Sequence, residues 1–130
     1  MQRFLPSWFL GSLSLALLLI NTLLWCTPFY GFGIARLLVP IERWRRAMNG
    51  LLTRLAEGWI QCNSLLLDLV HEIDWDVRGI DELRHDSTYL ISCNHQTWAD
   101  IPILQRTFNR RIPFIRFFLK QELIWVPLLG

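Results

Sequence analysis

The run Thr88-Tyr89-Leu90-Ile91-Ser92-Cys93-Asn94-His95-Gln96-Thr97-Trp98-Ala99-Asp100 changes character twice over a short distance. Its first half is almost continuously apolar or β-favouring, the pattern of a strand covered on both faces. A polar loop carrying His95 follows, and Asp100 then opens a short apolar-periodic helix over 101–108. Pro102 fits that placement, because proline is tolerated in the first turn of a helix and not in its interior. Strand, loop and helix in this order form the unit of an α/β domain.

Working outward, residues 73–77 alternate Ile73, Trp75 and Val77 with Asp74 and Asp76, a period of two that reads as a strand with one wet face. Arg78-Gly79 turns the chain. Downstream, 112–119 is a third strand candidate with Pro113 near its start. The order helix, strand, strand, helix, strand predicts an α/β domain, with a membrane helix at its amino-terminal side. The chain divides into a membrane anchor and juxtamembrane segment over 1–38, an amphipathic helix over 39–70, and the start of the α/β domain over 71–130. Three strands leave open sheet edges, and the chain stops in an apolar run, so a truncated domain is expected.

Residues 8–29 read WFLGSLSLALLLINTLLWCTPF, without a charge. As a helix they span about 33 Å, enough for a bilayer's hydrocarbon core. Trp8 and Trp25 stand near the two ends, where amphipathic rings favour the headgroup zone. A signal peptide would need a small-residue cleavage site, and Cys26-Thr27-Pro28 is a poor one, so an uncleaved anchor is the reading adopted. Arg3 alone precedes the segment, whereas Arg36, Arg43, Arg45 and Arg46 follow it. The positive-inside rule therefore puts the chain after residue 30 in the cytoplasm, beneath the cell inner membrane. Pro28, Gly31 and Gly33 leave a second option, a hairpin that dips into one leaflet.

The 130 residues carry a net charge of +2, too small to indicate nucleic acid, and no reading motif accompanies the arginines. Twelve of the thirteen basic residues are arginine, whose planar fork suits phosphate oxygens, and beside an apolar segment the natural anionic partner is membrane lipid. From Pro40 onward Ile41, Trp44, Met48, Leu51, Leu52, Leu55, Trp59 and Ile60 recur at three- and four-residue steps, opposite Glu42, Arg43, Arg45, Arg46, Thr53, Arg54, Glu57 and Gln61. That is an amphipathic helix, its apolar side facing either the domain or the membrane interface. Cys26, Cys62 and Cys93 form no CxxC pair and have no histidine at a ligand interval, so they read as free thiols and no metal site is expected.

His95 and Asp100 carry the chemistry. In an unbroken helix their side chains would stand about 140° apart, so they meet only if the histidine lies in the loop and the aspartate in the first helical turn. A neutral imidazole then takes a proton from an attacking alcohol, and a carboxylate on its far nitrogen fixes the tautomer. Backbone N–H groups at the helix start would stabilise an oxyanion. The plain alternative is structural. Thr97-Trp98-Ala99-Asp100 has the form of a capping box, in which Asp100 closes a helix end.

Asn94-His95-Gln96-Thr97-Trp98-Ala99-Asp100 resembles the N-H-x-x-x-x-D block of the lysophosphatidic acid acyltransferase family, the PlsC-like glycerolipid acyltransferases. Val77-Arg78-Gly79-Ile80-Asp81-Glu82-Leu83 is similar to the family's V-x-G-x-E-x-L block, with Asp81-Glu82 around the acidic place. The run Lys120-Gln121-Glu122-Leu123-Ile124-Trp125-Val126-Pro127-Leu128-Leu129-Gly130 resembles its K-x-E-L-x-x-x-P-x-x-G block. The likeness covers 73–130 and reaches the anchor only in general character. It implies transfer of a fatty acyl group from acyl-CoA or acyl carrier protein to a lysophospholipid hydroxyl, such as that of 1-acylglycerol-3-phosphate, without a cofactor. His95 would be the general base, Asp100 its partner, and Lys120 a contact for the acceptor phosphate; Arg116 would face the same site. The family's later blocks, an arginine for the phosphate and a glutamate-glycine pair, do not follow Gly130, and this chain by itself is expected to show little or no activity. The competing reading is a non-catalytic, membrane-anchored interaction protein that uses its Arg-rich amphipathic helix.

Overall fold

The computed structural model describes residues 6–94, 96, 97 and 99–118. They form three helices: α1 (Ser7–Leu38), α2 (Glu42–Val70) and α3 (Asp100–Phe108). A largely apolar run, charged only at Arg36, forms α1, which at 32 residues is about 48 Å long. Pro28 lies inside it and does not end it. The chain turns at 39–41 instead, around Pro40, so Pro28, Gly31 and Gly33 stay within the helix and do not turn the chain back. The second helix starts at Glu42, two residues beyond Pro40, and follows the predicted amphipathic period through to Val70.

The first two helices form an antiparallel pair whose register is fixed by polar groups. From the closed end to the open end, Trp44 Nε1 donates to Ala35 O at 3.1 Å, Trp59 Nε1 donates to Thr22 Oγ1 at 3.2 Å, and Asn21 Nδ2 donates to Asn63 Oδ1 at 2.7 Å. Ser14 Oγ and His71 Nε2 lie 2.7 Å apart near the open end. Between these, the outer edge of the Trp25 ring lies against Gly58: a Cβ there would meet Trp25 Cη2 at 2.5 Å, so only glycine admits this contact unchanged.

The seam between α1 and α2 is polar and the outside is apolar. Ser14, Asn21, Asn63 and Ser64 are buried, whereas Leu15, Leu19, Ile20, Leu23 and Leu24 are 53–68 % exposed. In water such an arrangement leaves a large apolar stripe wet, which soluble proteins rarely tolerate. Against hydrocarbon it is favourable, because helices there associate through close packing and interhelical hydrogen bonds. The outward face of α1 is therefore a lipid-compatible surface.

The third helix packs on α2 and, among the described residues, has no contact with α1. Arg106 of α3 binds Asp68, Asn109 Nδ2 donates to Glu57 O at 3.1 Å, and Arg110 Nε lies 3.3 Å from Glu57 Oε2. The layers run α1, α2, α3, with the amphipathic helix in the middle. It therefore meets α1 on one side and α3 on another, the latter contact including Glu57, Ser64 and Asp68.

The predicted α/β architecture is not met among the described residues, which contain no strand. The candidates at 73–77, 88–93 and 112–118 have no regular secondary structure, and Leu119, the last residue of the third, lies outside the described residues. Alternation predisposes a segment to extended backbone, but a strand exists only through its ladder hydrogen bonds to a neighbour. No such pairing joins these segments. Apolar burial among the described residues is correspondingly thin, with Leu10, Ile60, Val70 and Ile112 the buried hydrophobic side chains.

Candidate active site

The loop between Asn94 and α3 is shaped by the carboxylate at its end. Asp100 Oδ2 accepts the backbone N–H of Gln96 at 2.6 Å and that of Thr97 at 2.9 Å. Thr97 Oγ1 accepts the N–H of Ala99 at 3.2 Å, and Asp100 N donates to Thr97 O at 3.1 Å. The acidic half of the capping box predicted from Thr97 and Asp100 is therefore made, while the threonine hydroxyl binds one residue earlier than that motif requires. These bonds satisfy loop N–H groups just ahead of the helix, whose own N-cap, Ala99, has no side-chain capping bond. They also aim Asp100 back at the loop residues that follow His95.

His95, Trp98 and Lys120 lie outside the described residues. Of the four residues singled out in the sequence, Asp100 and Arg116 are described, and Asp100 is not part of the groove that Arg116 lines. Arg116 is exposed and lines a groove of about 400 Å³ with Tyr89, Ile91, Leu104 and Phe114. The first turns of α3 line another, of about 860 Å³, through Ala99, Pro102 and Ile103. Its opposite wall is Leu18 of α1 with Leu67 and His71 at the base of α2, and residues 73–78 and Ile80 close its third side. This apolar groove thus runs from the lipid-compatible helix to the start of α3.

One feature of the site escaped the sequence reading. Arg106 Nη1 donates to Asp68 Oδ1 at 2.5 Å, its guanidinium carbon stands 4.1 Å from the centre of the Trp75 ring, and Trp75 Nε1 donates to the same Asp68 oxygen at 3.3 Å. The hydrogen bond from Arg106 is the main reason the Asp68 carboxyl is held below its ordinary pKa; burial opposes it, and the Trp75 hydrogen bond and the Arg106 charge assist. The cluster joins α2, the segment after it and α3, fixing the helix that begins at Asp100 against the hairpin. A conspicuous arginine in the last turn of a short helix was its only trace in the sequence.

Gly79 adopts φ +74°, the left-handed turn expected of Arg78-Gly79. Arg78 meanwhile grips Asp76 with two hydrogen bonds, at 2.8 and 2.7 Å. The three cysteines are free, Cys93 being exposed. Among the described residues, no group of His, Cys, Asp and Glu side chains is arranged to hold a metal ion.

Residues 74–130 match the family model described as Acyltransferase. This part of the chain is similar to the acyltransferase family, and the match is partial. It is consistent with a glycerolipid acyltransferase family and includes the N-H-x-x-x-x-D run at 94–100. No curated protein and no solved structure matches the chain.

Proposed function

We propose that the chain is the membrane-docked front part of a glycerolipid acyltransferase that esterifies a lysophospholipid such as 1-acylglycerol-3-phosphate with an acyl group from acyl-CoA or acyl carrier protein. The observation that carries this reading is the family match over 74–130, which spans all three sequence blocks. In the proposed reaction the acceptor hydroxyl oxygen attacks the thioester carbonyl while His95 removes its proton. The tetrahedral intermediate collapses to the ester, and the thiolate leaves with the proton returned from the imidazolium. Asp100 steadies that imidazolium, an assignment that gives one carboxylate oxygen to the histidine while Oδ2 keeps the loop closed. Lys120 is proposed to meet the acceptor phosphate; Arg116 is the weaker candidate, since it lines another groove. No cofactor enters the scheme.

For location we propose the cytoplasmic face of the cell inner membrane, with the α1–α2 hairpin lying in one leaflet. The layer order supports this. Because α3 sits beside the middle and open end of α2, a hairpin standing upright across the bilayer would carry Arg106 and Asn109 into hydrocarbon, at a cost of several kcal/mol. Laid flat, the hairpin gives lipid the outward face of α1 and leaves α3 and the arginines of α2 on the aqueous side. This placement keeps the domain division at 38 and 70 as a proposal too: anchor, connecting helix, catalytic segment.

The test is acyl transfer to 1-acylglycerol-3-phosphate by the complete gene product in membranes, compared with its His95→Ala variant. Loss of transfer with unchanged membrane binding supports the enzyme. Equal lipid synthesis in both would favour the interaction-protein reading.

A further inference from the structure

Arg36 lies in the last turn of α1, at the closed end of the hairpin and far along it from α3. Its Nε is fully buried and has no hydrogen-bond partner, the one such side-chain atom among the described residues. A guanidinium donor removed from water and left without an acceptor is unfavourable, so a structure that keeps one calls for an acceptor from outside. Among the described residues the candidate acceptors are engaged elsewhere. Glu42 is engaged with Arg46 at 3.7 Å, and Glu57, well along α2, is engaged with Arg110. Nor is the Ala35 carbonyl at full disposal, since it accepts the Trp44 indole.

Arg36 lines a shallow groove of about 460 Å³ between the ends of α1 and α2. Tyr30 and Asn49 add polar groups to its walls, and Phe29, Ile34 and Leu52 supply apolar length. Around its mouth the surface is apolar and wet: Leu37 is 72 % exposed, Leu38 74 % and Ile41 61 %. Arg43, Arg45 and Arg46 stand on the adjoining first turns of α2, all exposed. A half-buried arginine whose Nε is shut off from water, set in an apolar trough with more cations on the neighbouring helix turns, complements a molecule with an anionic head and a hydrocarbon chain.

We infer that this groove is a binding site for an anionic phospholipid, its phosphate accepting hydrogen bonds from Arg36 and one acyl chain lying along Phe29 and Ile34. A free phosphate would leave the apolar trough wet, and a peptide segment would find few hydrogen-bonding groups there. The site is separate from the loop at 94–100, so its occupant is an anchoring lipid and not the acyl acceptor. It stands independently of the acyl-transfer reading, because it is measured by lipid retention.

The experiment is native mass spectrometry of the full chain released from detergent micelles doped with equal phosphatidylglycerol and phosphatidylcholine. The wild type should retain one phosphatidylglycerol in preference to phosphatidylcholine. R36Q should lose that preference by roughly tenfold or more, as expected for a charge-assisted hydrogen bond. R84Q, which alters an exposed arginine outside the groove, should retain it. Should R36Q fail to give wild-type circular dichroism, Ile34→Asn on the exposed lip of the groove serves instead and should weaken retention while leaving Arg36 in place. Equal retention of both lipids by the wild type overturns the site, as does unchanged retention in a folded R36Q or Ile34→Asn protein. Displacement of the lipid by inorganic phosphate at matched concentration would show a simple anion site and overturn the lipid assignment.

Discussion

Arg106 and Asp68 meet at 2.5 Å across the α2–α3 boundary, thirty-eight residues apart in the chain, with the Trp75 ring as a third partner. This contact decides where α3, and hence Asp100, stands relative to the hairpin. Both side chains are partly open to solvent, at 27 % and 38 %, so the pair alone is worth little; the stacked ring adds to it.

Replacing Arg106 with alanine is expected to lower stability by about 1–2 kcal/mol, summing a screened ion pair and a cation–π contact. Lysine at the same place should recover only part, because it keeps the charge and loses the planar fork. Hydrogen exchange of the α3 amides measures both, and Arg106→Ala should raise exchange there more than at the α1–α2 seam.

The same cluster sets a pH dependence. The Asp68 carboxyl is held below its ordinary pKa in the folded chain, so the unfolded chain binds more protons in that interval. Its contribution is fully present above the unfolded value, about 3.9, and is lost as pH falls through the lower folded value. Acid unfolding followed by circular dichroism should show this, and Asp68→Asn should flatten the response below about pH 4 while leaving the neutral-pH slope unchanged.

Gly58 is expected to be intolerant of size. An added Cβ meets the Trp25 ring at 2.5 Å, although the ring is a side-chain group able to move aside. Gly58→Ala gains up to about 1 kcal/mol in helix propensity and loses about 1–3 kcal/mol to crowding, so a net loss or near balance is expected. Gly58→Leu should be clearly destabilising. In combination with Trp25→Ala, Gly58→Ala should become stabilising, a sign reversal that thermal unfolding in a fixed detergent would detect; simple additivity would refute direct contact.

Asp100 separates structure from chemistry. Asp100→Ala removes the acceptor of two backbone N–H groups and should cost about 1–2 kcal/mol, as for a lost helix cap. Asp100→Asn keeps one carbonyl acceptor and should restore much of that stability. Under the proposed mechanism it should not restore acyl transfer, since an amide cannot stabilise the imidazolium. Recovery of both together would reduce Asp100 to a loop-closing residue.

Much of this was legible in residue order. The uncharged run at 8–29 is helical, the three-and-four spacing after Pro40 is α2, and Pro102 marks the first turn of α3. Gly79 takes the turn its type implies, and Thr97 and Asp100 make the backbone contacts their spacing allows. All of these are local: each depends on side chains within a turn or two, where backbone geometry leaves few alternatives.

The sequence by itself determined the helices, the loop at 94–100 and the family likeness of 74–130, because period, capping and motif spacing act over short stretches of chain. Only the tertiary structure decided that α1 folds back on α2 with its polar residues inside. Ser14, Asn21 and Thr22 are scattered interruptions of an apolar run until His71, Asn63 and Trp59 arrive as partners. Among the described residues it likewise shows no ladder at 73–77 or 88–93, since a ladder needs a second strand that alternation alone cannot supply. Partner choice across tens of residues is a competition among many possible contacts, and the packed chain is where that competition is resolved.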